Sequence, residues 1–90
     1  MELEVKRLIK YDEIQQGLEF AKKKHPNYPT DMFRQLAIMQ EEAGEVTKAV
    51  LDYHYEGGPL EDICQELIQT AAMCMRMLGA LEDKRLGLEE

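Results

Sequence analysis

Ninety residues, 44% of them hydrophobic, make one small domain spanning residues 1–90, with enough apolar content to fold but room for only a limited core. Eleven basic residues against 18 acidic ones give a formal net charge of −7, which argues against partnership with nucleic-acid backbone or an anionic membrane, since both need clustered Lys and Arg. Nothing at the start of the chain reads as a secretory leader and no apolar run approaches membrane-spanning length, so the expected compartment is the cytoplasm, with Cys64 and Cys74 reduced.

Residues 1–10 (MELEVKRLIK) fit either a short helix or an extended arm. Asp12 is a suitable N-cap for a first helix running to about Lys24, with Ile14, Leu18 and Ala21 on one face. Lys22, Lys23 and Lys24 then fall at its C-terminal end, where cations favour the helix dipole. Pro26 and Pro29 stop that helix, because a proline has no N–H to give and crowds the preceding turn. Thr30 or Asp31 caps a long second helix reaching about Tyr55. Gly57-Gly58-Pro59 breaks the chain again, and Pro59 suits the first turn of a third helix whose positive end receives Glu61 and Asp62.

The third helix runs to at least Gly79, with Leu60, Ile63, Leu67, Ala71, Cys74, Leu78 and Leu81 as its expected apolar stripe. Both cysteines fall on that stripe, and Met73, Met75 and Met77 read as core filler. No segment alternates with a period of two. The expected fold is therefore all-α, a small bundle of three main helices joined by short Pro/Gly turns. Helices this long expose much apolar surface in a monomer, so a homo-oligomer is expected.

Carboxylates interrupt these apolar faces. On the second helix Glu42 lies between Ile38, Met39, Val46 and Ala49, and Glu45 lies beside Ile38 and Ala49, while Glu41 points outward. On the third helix Glu66 lines up with Met73 and Ala80, and Gln69 follows it at the same spacing of three. A carboxylate in an apolar row must be neutralised, paired or bound to a cation, since desolvating it alone costs too much. Gly44, inside a helix, is read as a mark of close backbone approach. The plainer reading is that these are ordinary surface acids in an acidic chain, Glu45 and Lys48 forming a simple i,i+3 pair.

All the candidate ligands are oxygens, which favours Mg2+, or Mn2+, over zinc or copper. A di-iron bundle would carry Glu-x-x-His, and neither His25 nor His54 stands three residues after a Glu. The chain has no Ser and no Gly-rich phosphate loop, and its two Cys lie without a companion His.

Glu41-Glu42-Ala43-Gly44-Glu45, then 20 residues, then Glu66-Leu67-Ile68-Gln69 resembles the MazG-like all-α nucleoside triphosphate pyrophosphohydrolases. Their signature is Glu-Glu-x-x-Glu followed on the next helix by Glu-x-x-Asp. The resemblance covers roughly residues 30–82. It implies that Glu42, Glu45 and Glu66 bind Mg2+ and serve catalysis, with Gln69 as a fourth ligand. The implied reaction is hydrolysis of a nucleoside triphosphate to a monophosphate and pyrophosphate, within a homodimer or homotetramer whose chains complete the pocket. Gln69 departs from the pattern, since its carbonyl can ligate Mg2+ but carries no charge and cannot act as a base. Asp62, one turn earlier, is placed to compensate. Two rivals stand beside the enzyme: a degenerate relative that binds nucleotide or metal without hydrolysis, and a structural module whose acids pair with a neighbouring subunit. Any cation facing phosphate comes from Arg34, Lys48, Arg76, Lys22–Lys24 or a partner chain.

Overall fold

The computed structural model describes residues 2–88 and contains three helices, α1 Leu3–Lys24, α2 Met32–Tyr55 and α3 Leu60–Arg85, with no strand among those residues. The boundaries of α2 follow from local chemistry. Asp31 is its N-cap, and the Asp31 carboxylate accepts a 3.0 Å hydrogen bond from the Phe33 amide. At the other end Gly57 takes φ +71, and the Gly58 amide reaches back 2.9 Å to the Asp52 carbonyl, the six-residue bond of a Schellman-type stop. Pro59 then occupies the N-cap of α3, with Glu61 and Asp62 in its first turn.

The first helix begins earlier than Asp12. Residues 3–11 are helical, and the Asp12 carboxylate accepts from Gln16 Nε2 at 2.8 Å within the helix rather than capping it. Nothing in MELEVKRLIK breaks a helix, and most of its residues are good helix formers. These first turns nevertheless stand clear of the rest of the chain, with Leu3, Leu8 and Tyr11 all exposed.

α3 is the central element. α1 and α2 each pack against it and not against one another. α2 and α3 are joined by a four-residue turn and run antiparallel. α1 runs parallel to α3, as Gly17 meets Ile68 and Ala72, and Ala21 meets Arg76. At this seam a Cβ on Gly17 would lie 3.7 Å from the Ala72 methyl.

The expected stripe of α3 is only partly the face that packs within the chain. The inward face centres on Ile68, Ala72 and Arg76, while Leu67 (51% exposed), Cys74 and Leu78 (66% exposed) look outward. α3 is apolar on two sides, and the chain itself covers one of them. Leu18, Ala49, Ala72 and Gln35 are the only buried residues among those described. The chain exposes 7042 Å², against about 5,400 Å² for a compact monomer of this mass. Its radius of gyration is 15.0 Å, where about 12 Å is typical of this length. No helix among the described residues is long and apolar enough to cross a membrane.

Candidate functional site

Because α1 and α2 splay apart on α3, a cleft of about 980 Å³ opens between them, floored by α3 and closed at one end by the α1–α2 connector. Its two ends differ in chemistry. Toward the α2–α3 turn the lining is acidic and amide-rich: Glu13 from α1, Glu41 and Glu42 from α2, and Glu61, Gln65 and Gln69 from α3. Toward the connector it is aromatic and cationic, with Phe20, Lys24, His25, Tyr28 and Arg76.

Among the residues singled out in the sequence, Glu42 has the most informative surroundings. It is half-buried on the cleft wall, and its carboxyl is pushed above the ordinary 4.5, first by burial and then by the charges of Glu66, Glu41 and Glu45. No Lys or Arg offsets this: no ion pair engages Glu41, Glu42, Glu45 or Glu66 among the described residues. Glu45 forms no pair with Lys48. Glu66 is half-buried on α3 beside Glu42, and Thr70 Oγ donates to its backbone carbonyl at 2.8 Å.

Glu45 and Gln69 are exposed, and of those two only Gln69 lines the cleft. Glu41, expected to point away from the site, lines it, because the cleft extends beyond the α2–α3 seam and takes in that flank of α2. Asp62 is exposed in the first turn of α3. Gly44 is exposed, and among the described residues no atom outside its own stretch of helix comes within 4 Å of the Cβ it lacks, so it marks no close approach here.

The donor set suits a hard dication, being carboxylate and amide oxygens. Its arrangement within one chain is open: no three His, Cys, Asp or Glu side chains among the described residues gather closely enough to hold an ion. The charge of Glu66 on α3 reaches Glu42 on α2, with Glu45 and Gln69 one turn along their respective helices.

The connector end holds residues whose roles were not legible beforehand. Arg76 sends one guanidinium N–H to the Ala21 carbonyl at 3.3 Å and another to the His25 carbonyl at 2.6 Å, while lying 4.5 Å above the centre of the Tyr28 ring. From the other side Gln35, only 3% exposed, donates 2.8 Å to the Pro29 carbonyl. Burial raises the Tyr28 phenol pKa, and the Arg76 charge partly opposes that shift. The connector 25–29 is thus fastened to α3 at one end and to α2 at the other. The signal for Arg76 was present: it is the one charge inside the run from Thr70 to Leu81. Of the other cations considered, Lys24 lines the cleft and Arg34 pairs with Asp31 at 3.8 Å.

Compared with family models, with characterised proteins and with solved structures, the chain matches none.

Proposed function

We propose that this chain is a Mg2+-dependent nucleotide pyrophosphohydrolase of MazG-like type, converting a nucleoside triphosphate to its monophosphate and pyrophosphate. The observation that carries the reading is Glu42 with Glu66: a half-buried carboxylate on the wall of a nucleotide-sized cleft feels the charge of another from the neighbouring helix, and no Lys or Arg pairs with either among the described residues. Glu42, Glu45, Glu66 and Gln69 would hold the ion. Bound there, Mg2+ or Mn2+ would neutralise phosphate charge and lower the pKa of an attacking water. Glu13, Glu41 and Glu61 line the same end. They make it repel a bare triphosphate, so the substrate enters as its metal complex. Lys24 and Arg76 lie at the opposite end of the cleft.

The enzyme would act as a homodimer or homotetramer. The chain leaves about 1,600 Å² more surface in water than a compact monomer of its size would. Leu60, Leu67, Cys74 and Leu78 form an uncovered apolar row along α3. An excess of that size is what an obligate interface removes per chain.

The test is Mg2+-dependent pyrophosphate release over standard and modified nucleoside triphosphates, with Glu45→Ala as control because its exposed side chain leaves the fold intact. Release that the control abolishes supports the enzyme. Silence from folded, oligomeric protein overturns it.

The second reading, a MazG-fold protein that binds nucleotide or metal without hydrolysis, is favoured by Gln69 and by the absence of a closed group of three acids among the described residues. Gln69→Asp separates the two, since restoring a charged ligand raises turnover from a silent background only if the missing charge is the defect.

A further inference from the structure

The first turns of α1 have little to hold them in a single chain. Every residue from Leu3 to Asp12 is exposed, Val5, Leu8, Ile9 and Tyr11 among them. α1 is one unbroken helix, so these turns cannot fold back into the chain's own cleft. They carry α1 past Glu13, at the acidic end of that cleft, for about 15 Å.

Glu13, Gln16, Phe20 and Lys24 line the cleft, which marks one side of α1. At helical spacing that side continues through Ile9 and Lys6, four and seven residues before Glu13. The resulting sequence complements itself. When two copies of α1 cross antiparallel at Ile9, Lys6 of each chain comes opposite Glu13 of the other, as a two-fold contact requires. Within the chain these charges have room for such partners. No ion pair or side-chain hydrogen bond engages the Lys6 ammonium among the described residues. Glu13 meets only Lys10, at 3.2 Å and with both side chains exposed, and a carboxylate accepts more than one donor. Glu41 and Glu61 line the same end of the cleft, whereas Lys24 and Arg76 lie at the other.

We propose that the first turns of α1 are a docking arm for a second copy of the chain. Two α1 helices pair antiparallel about Ile9, Lys6 of each bonds Glu13 of the other, and each arm lies across the acidic end of its partner's cleft. Exposed ion pairs and two isoleucines hold separate chains only weakly. The arms act between chains already joined through the outer face of α3, where each contact reinforces the other. Two different two-fold contacts on one chain generate a homotetramer. The arm thus rests on the outer-face dimer above, and on neither Mg2+ nor hydrolysis.

The test is sedimentation in EDTA at about 0.02 M and about 0.3 M salt. The wild type is expected to be tetrameric at the lower salt and to fall toward dimer at the higher. Lys6→Glu and Glu13→Lys should each weaken the dimer–tetramer step about ten- to hundred-fold, by turning every cross-chain attraction into a repulsion. Combining the two should restore it, because each pair is then re-formed with its signs exchanged. A merely structural effect of either charge does not predict that recovery. Independently, Ile9→Cys in a Cys64→Ala/Cys74→Ala background should cross-link chains under mild oxidation. Leu8→Cys, on the opposite side of the helix, should not.

A tetramer indifferent to salt and to both single variants overturns the arm. So does the absence of a cross-link through Ile9→Cys, or a wild type that stops at a dimer which Leu78→Glu breaks. In that last case the outer-face dimer stands. A dimer that Leu78→Glu leaves intact and Lys6→Glu breaks keeps the arm while the outer face falls.

Discussion

Arg76 lies over the ring of Tyr28, 4.5 Å from its centre, while its guanidinium donates to the carbonyls of Ala21 and His25 more than fifty residues earlier in the chain. One side chain of α3 therefore adds a second donor to the Ala21 carbonyl, which already accepts from the His25 amide, supplies one to the His25 carbonyl, and sets the path of the connector. Arg76→Ala removes two charge-assisted hydrogen bonds and a cation–π contact, and is expected to cost about 2 kcal/mol in urea denaturation. Arg76→Lys should recover less than half of that, because an ammonium cannot fork to two carbonyls while lying flat on a ring. The same alanine variant should titrate the Tyr28 phenol at higher pH, since the one charge that lowers its pKa is gone while burial still raises it.

Burial of Glu42, reinforced by its acidic neighbours, makes stability depend on pH in an unusual direction for a carboxylate. The Glu42 pKa is raised in the folded chain, by burial first and by Glu66, Glu41 and Glu45 next. The folded state therefore holds the proton more tightly than the unfolded state does. The stabilisation is complete below the ordinary value of 4.5 and is lost as pH climbs through the raised value. Glu42→Gln should flatten that loss and stabilise the metal-free protein at pH 7 by about 0.5 kcal/mol, the scale of a relieved like-charge contact on a helix. Mg2+ should raise the melting temperature of the wild type and leave Glu42→Gln nearly unmoved. An acid engaged in an ion pair would give the reverse, with the variant less stable and the wild type indifferent to the ion.

Much of the scaffold was legible because punctuation decided it. Asp31 before a helical run, and Gly57-Gly58-Pro59 after it, define α2 through chemistry that acts within a few residues. The start of α1 carries no such mark: Asp12 looks like a cap but lies inside a helix that continues back to Leu3, and no packing contact there resolves the choice. For α3, periodicity reports that a face is apolar without reporting which neighbour covers it. Leu67 and Leu78 repeat as regularly as Ile68 and Ala72, yet only the latter pair packs inside the chain. The site is divided in the same way. Spacing brings Glu42 next to Glu45 on one helix, whereas the approach of Glu66 to Glu42, and the entry of Glu41 into the cleft, depend on how two helices cross.

That uncovered row gives a prediction in which chain and assembly disagree. In a single chain Leu78 is two-thirds exposed, and Leu78→Glu should change stability by no more than about 0.5 kcal/mol. In an oligomer built on the outer face of α3 it places a charge in an apolar interface. Sedimentation should then show the wild type associated and the variant dissociated at the same concentration. The wild-type melting temperature should rise with protein concentration, and that of the variant should be lower and independent of it.

Two glycines should respond to alanine with opposite signs. Gly17 lies mid-helix in α1, and the methyl of an alanine would rest 3.7 Å from Ala72 Cβ and from Ile68 Cγ2, ordinary van der Waals contact with nothing displaced. Gly17→Ala should stabilise the protein by about 1 kcal/mol, through helix propensity and a methyl placed on the α1–α3 seam. Gly57 has φ +71 and open space around it, so its constraint is conformational and not steric. Gly57→Ala should cost about 1 kcal/mol, because an L side chain is strained in the left-handed region and the turn from α2 to α3 requires it there. Denaturation midpoints of the two variants against wild type check both signs. A loss in Gly17→Ala would mean that α1 lies closer to α3 than a methyl allows, and the cleft that α1 walls would be narrower to match.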